Sequence, residues 1–169
     1  MKAQNMKIGI MSDSHDNLNN IKKALQIFKS DNVEAILHAG DLISPFCVPL
    51  FEDFKDNFYL CAGNNLGDTK FLQSLIEGIG QYYSEIAEIE LDNCKFALYH
   101  GTHEPITRAL LDSQNYDYII TGHTHHKEIK EKGKTILINP GETFGDLYGT
   151  ATIAILDTKT REVKFHELN

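Results

Sequence analysis

Short apolar runs, each followed by a polar segment, recur through the first third of the chain. Runs of strand length lie at Lys7–Met11, at Ala35–His38 and at residues 58–62. After the first run, apolar residues recur three or four positions apart and predict one apolar helix face, formed by Leu18, Ile21, Leu25 and Phe28. This alternation of strands and helices indicates βαβ units and a largely parallel sheet.

Local signals mark where the helices begin. Asn17 precedes the first apolar helix face, and we predict that it caps that helix. A second helix is expected to begin near Pro45 and to include Leu50, Phe51 and Phe54. A third is expected over residues 71–79, so that a helix follows each of the three strands.

From Tyr83 onward the pattern favours a more β-rich half. Residues 84–91 alternate apolar and polar side chains, and Asp92-Asn93 offers a turn into residues 95–99, which predicts a hairpin. A helix around residues 105–113 precedes further strands at 117–121, 128–131, 135–138, 150–156 and 162–166. We therefore predict two sheets packed on one core with helices outside. They would form a single domain over residues 6–169, with residues 1–5 as a disordered or alternative start.

Composition and charge narrow the class of protein. The chain has 169 residues, and 16 Lys and Arg against 24 Asp and Glu give a formal charge of −8, which argues against general nucleic-acid binding. No apolar run approaches the ~20 residues that a membrane span needs. The first residues turn polar before a signal-peptide core forms, so we expect a cytoplasmic protein. The scattered Cys47, Cys61 and Cys94 fit reduced structural thiols in that compartment.

Polar residues with metal-binding side chains follow five of the predicted strands. The segments are Asp13-Ser14-His15, Gly40-Asp41, Gly63-Asn64-Asn65, His100-Gly101 and Gly122-His123-Thr124-His125. Because ligand sites gather at the carboxyl ends of the strands in an open α/β sheet, we expect these segments to converge. Asp, His and Asn without Cys are oxygen and nitrogen ligands suited to first-row divalent metals.

The spacing within these segments has a physical interpretation. In Asp13-x-His15 and His123-x-His125, residues two apart in an extended segment point to the same side, so both members of each pair can face one metal cluster. Glycines beside the candidate ligands permit close approach of the backbone. One catalytic zinc takes only three protein ligands, whereas two metals about 3.5–4 Å apart with a bridging carboxylate accommodate the whole set. The candidates are Asp13, His15, Asp41, Asn64, His100, His123 and His125.

The ordered set D-S-H, G-D, G-N-N, H-G and G-H-T-H resembles the calcineurin-like metallophosphoesterases, and the resemblance covers essentially the whole chain. With residues 63–68 and 138–142, the chain looks most like the small single-domain phosphodiesterases of bacteria and archaea. The resemblance implies an α/β fold, a four-layer αββα sandwich of two mixed β-sheets flanked by helices. This agrees with the strands expected from the pattern alone.

The resemblance also implies a role for each candidate ligand. A first metal would be bound by Asp13, His15 and His125, a second by Asn64, His100 and His123, and Asp41 would bridge the two. We expect two divalent ions, with Mn²⁺ first and Ni²⁺, iron, Zn²⁺ or Mg²⁺ as alternatives. A metal-bridging hydroxide would attack the phosphorus of a small phosphate ester, with a diester expected. Asn64 and His100 would act catalytically by stabilising charge on the phosphoryl oxygens.

One position departs from the family pattern. Many members read G-N-H after the third strand, with a histidine thought to protonate the leaving group or steady the transition state, whereas this chain has Asn65. We assign Asn65 and His103 to substrate binding, and His103 also to catalysis as the candidate general acid. Asp16 and His126 are alternative proton donors. The loop 141–149, rich in glycine and aromatic residues, is predicted to border the substrate pocket.

Other functions stay open at this point. A non-catalytic interaction scaffold on the same fold is the main alternative, because a eukaryotic trafficking subunit of this fold binds partners and has lost metal-site histidines. Metal-dependent hydrolysis of a C–N bond is a third reading, although those enzymes usually place H-x-H after the first strand. Cyclic nucleotides, nucleotide ends and lipid-derived diesters are all open as substrates, as is a homodimer or homotetramer. His38 is expected to be a packed strand residue or a partner of a ligand.

Overall fold

Eleven strands form two β-sheets in the computed structural model of the protein, which describes residues 5–168. In chain order they are β1 (Lys7–Met11), β2 (Ala35–His38), β3 (Phe58–Cys61), β4 (Gln81–Tyr83), β5 (Ala87–Leu91), β6 (Cys94–Leu98), β7 (Tyr118–Ile120), β8 (Lys127–Lys132), β9 (Thr135–Pro140), β10 (Thr152–Asp157) and β11 (Val163–Glu167). One sheet has the order β11-β10-β1-β2-β3-β4, and the other has the order β5-β6-β7-β9-β8. Strands β1 to β4 are parallel to one another, as are β6, β7 and β9.

Within residues 5–168, three α-helices and one 3₁₀ helix flank the sheets. They are α1 (Leu18–Ser30), α2 (Thr69–Ile76), α3 (Glu104–Ser113) and the 3₁₀ helix Pro45–Phe54. The predicted cap of α1 is confirmed, because the Asn17 side chain accepts a hydrogen bond from the Asn20 N–H. The predicted helix at Pro45 has 3₁₀ geometry, and Pro49 in its interior lacks the N–H that an α-helix would need there.

In the described part of the chain, three apolar clusters separate four layers. Side chains from both sheets, among them Ile10 of β1 and Leu98 of β6, form the cluster between the sheets. On the outer face of the six-stranded sheet, Phe28 and its neighbours on α1 pack with the 3₁₀ helix and α2. On the outer face of the five-stranded sheet, Leu111 of α3 packs on Ile119. This order of layers confirms the predicted αββα sandwich.

The parallel strands of each sheet end at the same edge, and the five polar segments follow them. The short strand β4 was not predicted, because three residues are too few to show a period in the sequence. Residues 1–4 of the predicted frayed start lie outside the described residues, whereas the Asn5 N–H donates to Asp92. A single domain over residues 6–169 stays a prediction.

Candidate metal centre

Backbone hydrogen bonds tie the polar segments to one another. The N–H groups of Asp13 and His15 donate to the carbonyls of Gly40 and Asp41, both at 3.0 Å. In the second sheet the Gly122 N–H donates to the His100 carbonyl at 2.9 Å. Segments that are far apart in sequence therefore lie at fixed positions beside each other, as expected from the strand ends.

Asp13, His15 and His125 form the first group of ligand atoms, all within 4.8 Å of one another. The Asp13 Oδ1 atom lies 3.3 Å from His125 Nε2, and the rings of His15 and His125 stack with centroids 5.3 Å apart. Asp13 Oδ1 and His15 Nε2 are buried and have no hydrogen-bond partner among residues 5–168. Buried polar atoms are rarely left unpaired, so this convergence fits a cation bound between them.

Asp41 lies between the two halves of the site. Its Oδ2 atom is 3.6 Å from His15 Nε2 and also 3.6 Å from His100 Nε2. Asp13, Asp41 and His100 form a second group whose ligand atoms lie within 4.8 Å of one another. This is the position that a carboxylate shared by two metals requires.

Asn64, His100 and His123 complete the second half. Asn64 Oδ1 lies 2.8 Å from both His100 Nε2 and His123 Nδ1. The other ring nitrogen of His100 is 2.6 Å from the Ala39 carbonyl, which fixes Nδ1 as the donor and leaves Nε2 for a metal. All seven candidate ligands thus lie in one region, and their oxygen and nitrogen donors suit a divalent metal.

Burial shapes the protonation of these groups. Desolvation raises the pKa of the Asp13 carboxyl, against the opposing effects of His100, Ser12, His125 and the His123 N–H. Desolvation lowers the pKa of His123. A bound cation favours a charged carboxylate and a neutral imidazole, so it would relieve the cost of keeping Asp13 ionised.

His38 is packed beneath the site, as expected. Burial lowers its pKa to about 3, so the ring is neutral at pH 7. His38 Nδ1 accepts the Gly40 N–H at 3.2 Å, and Nε2 lies 3.1 Å from the Ser14 hydroxyl. It therefore supports two of the segments that carry candidate ligands.

The backbone at the candidate ligands corrects one step of the sequence argument. We expected extended segments, but five of the seven residues adopt positive φ: Asp13 at 50°, His15 at 40°, Asp41 at 58°, His123 at 67° and His125 at 63°. Asp13 and His15, like His123 and His125, do face one centre, but through turns with left-handed backbone conformations rather than through extended segments. Such left-handed conformations cost free energy outside glycine and cluster at functional sites.

Two glycines make room for the carboxylates. A Cβ atom on Gly63 would lie 1.8 Å from Asp41 Oδ1, and one on Gly122 would lie 1.8 Å from the Ser12 hydroxyl and 2.6 Å from Asp13 Oδ2. The absence of a side chain at these positions is therefore a steric requirement. The close approach of the backbone to a metal, which we expected of these glycines, stays a prediction.

The residues proposed for substrate contact are less tightly gathered. Asn65 donates to Asp41 through both its backbone and its side chain. His103 is exposed at the start of α3, and its N–H donates to the Tyr99 hydroxyl. Asp16 Oδ1 accepts the N–H groups of Ile43 and Ser44, which gives Asp16 a structural role in the loop after β2. The roles of Asn65 and His103 in substrate binding stay predictions.

The loop 141–149 lies against the first half of the site. The Phe144 ring is 5.4 Å from the His15 ring, and Tyr148 is 5.9 Å from His125 and 4.4 Å from His126. We did not identify from the sequence two residues that hydrogen-bond to the segment with His123 and His125. Asn139 donates to the Gly122 carbonyl, and Glu142, which is fully buried, lies 2.6 Å from His125 Nδ1. Both belong to the segment that we compared with the family, but no local pattern marks them as partners of the ligands.

Comparison with known proteins places the chain. Residues 6–161 match the calcineurin-like phosphoesterase superfamily domain. This chain belongs to that superfamily. It is 40% identical over 161 residues to phosphodiesterase MJ0936 of Methanocaldococcus jannaschii, covering 94% of this chain and 97% of that protein.

Solved structures share the fold of this chain. A structure described as a novel archaeal phosphodiesterase is 39% identical, superposes with a TM-score of 0.91, and is covered over 99% of its chain and 96% of this one. Vacuolar protein sorting 29 of Cryptosporidium parvum superposes with a TM-score of 0.71 at 16% identity, covering 96% of this chain and 97% of that one, which shows the fold alone.

These comparisons test the predicted family, fold class and type of enzyme. The family, the fold class and a hydrolase of phosphoesters are confirmed, which favours the enzyme over the scaffold and over C–N hydrolysis. The superfamily and the two groups of ligand atoms agree on divalent metal. Among the described residues, no helix is long and apolar enough to cross a membrane.

Proposed function

We propose that this calcineurin-like phosphoesterase is a phosphodiesterase with two divalent metals, acting on a small phosphate ester. Asp13, His15 and His125 would hold the first metal, Asn64, His100 and His123 the second, and Asp41 both. The observation that carries the proposal is the position of Asp41 Oδ2, 3.6 Å from a histidine of each half. The similarity to an archaeal protein named a phosphodiesterase supports a diester as substrate.

The two metals, when bound, supply a nucleophilic water near neutral pH and neutralise charge on the phosphoryl group. The side chains orient the centre and the ester. With its Oδ1 directed at His100 and His123, Asn64 keeps its Nδ2 amide as a donor for a phosphoryl oxygen. His100 is held by the Ala39 carbonyl and cannot rotate away.

The chain lacks the residue that many family members are thought to use to protonate the leaving group. The family's histidine is replaced by Asn65, whose amide donates to Asp41. His103 lies three residues after His100, His126 follows His125 directly, and both imidazoles are exposed. We assign the general acid to His103. Because the family's histidine is missing, we expect esters with poor leaving groups to be hydrolysed less efficiently than esters with good ones.

Mn²⁺ is the metal that we propose first, with Ni²⁺, iron, Zn²⁺ and Mg²⁺ as alternatives. The mixed donor set of carboxylate, imidazole and amide oxygen, without thiolate, supports a metal of intermediate hardness.

We also propose a cytoplasmic location. We propose no general nucleic-acid binding, since the net charge is −8. Assembly into a dimer or tetramer stays a prediction.

The test is hydrolysis of bis-p-nitrophenyl phosphate beside p-nitrophenyl phosphate, after removal of metal and with each metal added singly. We expect metal-dependent cleavage of the diester that Asp41→Ala abolishes. Asp112→Asn, which removes an exposed ion pair with Lys132, should leave the rate unchanged. Chelator-resistant hydrolysis, or no hydrolysis with any metal by the folded protein, would contradict the proposal.

A further inference from the structure

Glu142 joins a candidate metal ligand to the loop beside the site. Its carboxylate is fully buried, with Oε2 at 2.6 Å from His125 Nδ1 and Oε1 accepting the Tyr148 N–H at 2.9 Å. Both oxygens therefore accept hydrogen bonds. A buried carboxylate needs such donors, since burial without them is costly.

The contact fixes which nitrogen of His125 carries the proton. Because a carboxylate accepts and cannot donate, the hydrogen lies on Nδ1, and the lone pair of the neutral ring lies on Nε2. Nε2 is the atom that lies 3.3 Å from Asp13 Oδ1, in the first group of ligand atoms. With the opposite tautomer, an N–H would point to the place where a metal has to bind.

We propose that Glu142 is a positioning residue that holds His125 in the tautomer and orientation needed to bind the first metal. The inference rests on the proposed two-metal centre. Histidines that ligate metals depend on such partners for their affinity. The effect is confined to one half of the site, because His100 is held by the Ala39 carbonyl and Glu142 contacts neither His100 nor His123 among the described hydrogen bonds.

The backbone around Glu142 is anchored independently of its side chain. The Glu142 carbonyl accepts the Thr152 N–H at 2.8 Å, and the next two N–H groups, of Thr143 and Phe144, donate to the carbonyls of Ser12 and Asp13. A change of the side chain alone therefore leaves the loop attached to β10 and to the first ligand segment.

Glu142→Gln is the sharpest substitution. A carboxamide has a single acceptor oxygen, so it can serve either His125 or the Tyr148 N–H, and its NH₂ group then faces the other donor. Asp146→Asn makes the same chemical change at an exposed position of the same loop and is the matched control.

The experiment is titration of the metal-free protein with Mn²⁺ alone, followed by calorimetry, with folding checked by circular dichroism. We expect two sites in the wild type and in Asp146→Asn, and in Glu142→Gln one site weakened about 10–100-fold with the other unchanged. Equal affinities in Glu142→Gln and wild type, or equal weakening at both sites, would overturn the inference. Wild type that binds no Mn²⁺ or other divalent metal would overturn the two-metal proposal itself.

A second measurement does not depend on any variant. In the metal-free wild type, measured where the His125 ring is neutral, the ring ¹⁵N shifts should show the proton on Nδ1 rather than on Nε2. A His125 ring with its proton on Nε2 would overturn the inference even if Glu142→Gln failed to fold.

Discussion

Asn65 holds Asp41 by two hydrogen bonds, from its backbone N–H to Oδ1 at 2.9 Å and from its side-chain amide to Oδ2 at 2.6 Å. Oδ2 is also the atom that lies between His15 and His100. Asn65, which stands where many family members have a histidine, is thus a partner of the carboxylate that we propose as the bridge between the two metals. These two hydrogen bonds fix the orientation of the Asp41 carboxylate.

Replacement of Asn65 by alanine tests this relationship. We expect Asn65→Ala to lower kcat for bis-p-nitrophenyl phosphate about 10-fold, since a hydrogen bond to a charged group contributes ~1.5 kcal/mol. A rise in KM as well would support the predicted contact of Asn65 with the substrate, whereas an unchanged KM would confine its role to Asp41. Steady-state kinetics would check this, with Asn115→Ala at an exposed position as the control. Wild-type kcat in Asn65→Ala would show that the backbone N–H alone is sufficient.

Metal should stabilise the folded chain through the same cluster. A ligand at 100 times its Kd that binds only the folded state adds about 2.7 kcal/mol, which for a chain of this size raises Tm by about 5–11 °C. We expect Mn²⁺ to produce this shift in the wild type and Asp41→Ala to lose most of it. Differential scanning calorimetry with and without chelator makes the comparison. A full shift in Asp41→Ala would mean that the metal binds elsewhere.

The space beside Asp13 gives a steric prediction. In Gly122→Ala the new Cβ would meet Ser12 and Asp13 at 1.8 and 2.6 Å, so we expect a loss of about 1–3 kcal/mol of stability and weaker Mn²⁺ binding. Gly149→Ala is the control for Mn²⁺ binding, because its Cβ would meet no atom within 4 Å, whereas its φ of +81° strains an alanine and lowers stability by itself. Urea denaturation and Mn²⁺ titration should separate the two, and normal Mn²⁺ affinity in Gly122→Ala would contradict the steric argument.

The sequence predicts the positions of the candidate ligands better than their conformation. Each ligand segment follows an apolar run, so its place at a strand end is a local property that a pattern of hydrophobicity records. The positive φ of Asp41 and its hydrogen bonds from Asn65 depend on tertiary contacts, which a local sequence pattern does not contain. Glu142 was missed for the same reason, because its link to His125 exists only when β9 and the loop after β7 come together.

The lowered pKa of His38 predicts that the free energy of unfolding decreases in acid. Its folded-state pKa of about 3 lies below the ordinary value of 6.5, so between these pH values the unfolded chain binds a proton that the folded chain does not. The contribution of His38 to the free energy of unfolding is therefore fully present above pH 6.5. It decreases as the pH falls below 6.5, by up to ~1.4 kcal/mol per pH unit. His38→Gln lacks this group, so its deficit relative to wild type should shrink from pH 7 to pH 5 in chelator. A deficit independent of pH would exclude His38 as the source.

Tyr148 is predicted to contact the organic part of the substrate. Its side chain is exposed, while its ring packs on His126 and its N–H is held by Glu142, so an aromatic surface lies beside the first half of the site. Tyr148→Ala should raise the KM for bis-p-nitrophenyl phosphate about 2- to 12-fold, since an aromatic pair contributes ~0.5–1.5 kcal/mol, and should leave kcat unchanged. Tyr148→Phe keeps the ring and should behave as wild type, and Leu147→Ala controls for loss of an exposed apolar neighbour. A lowered kcat with unchanged KM in Tyr148→Ala would instead assign this ring to the support of the metal ligands.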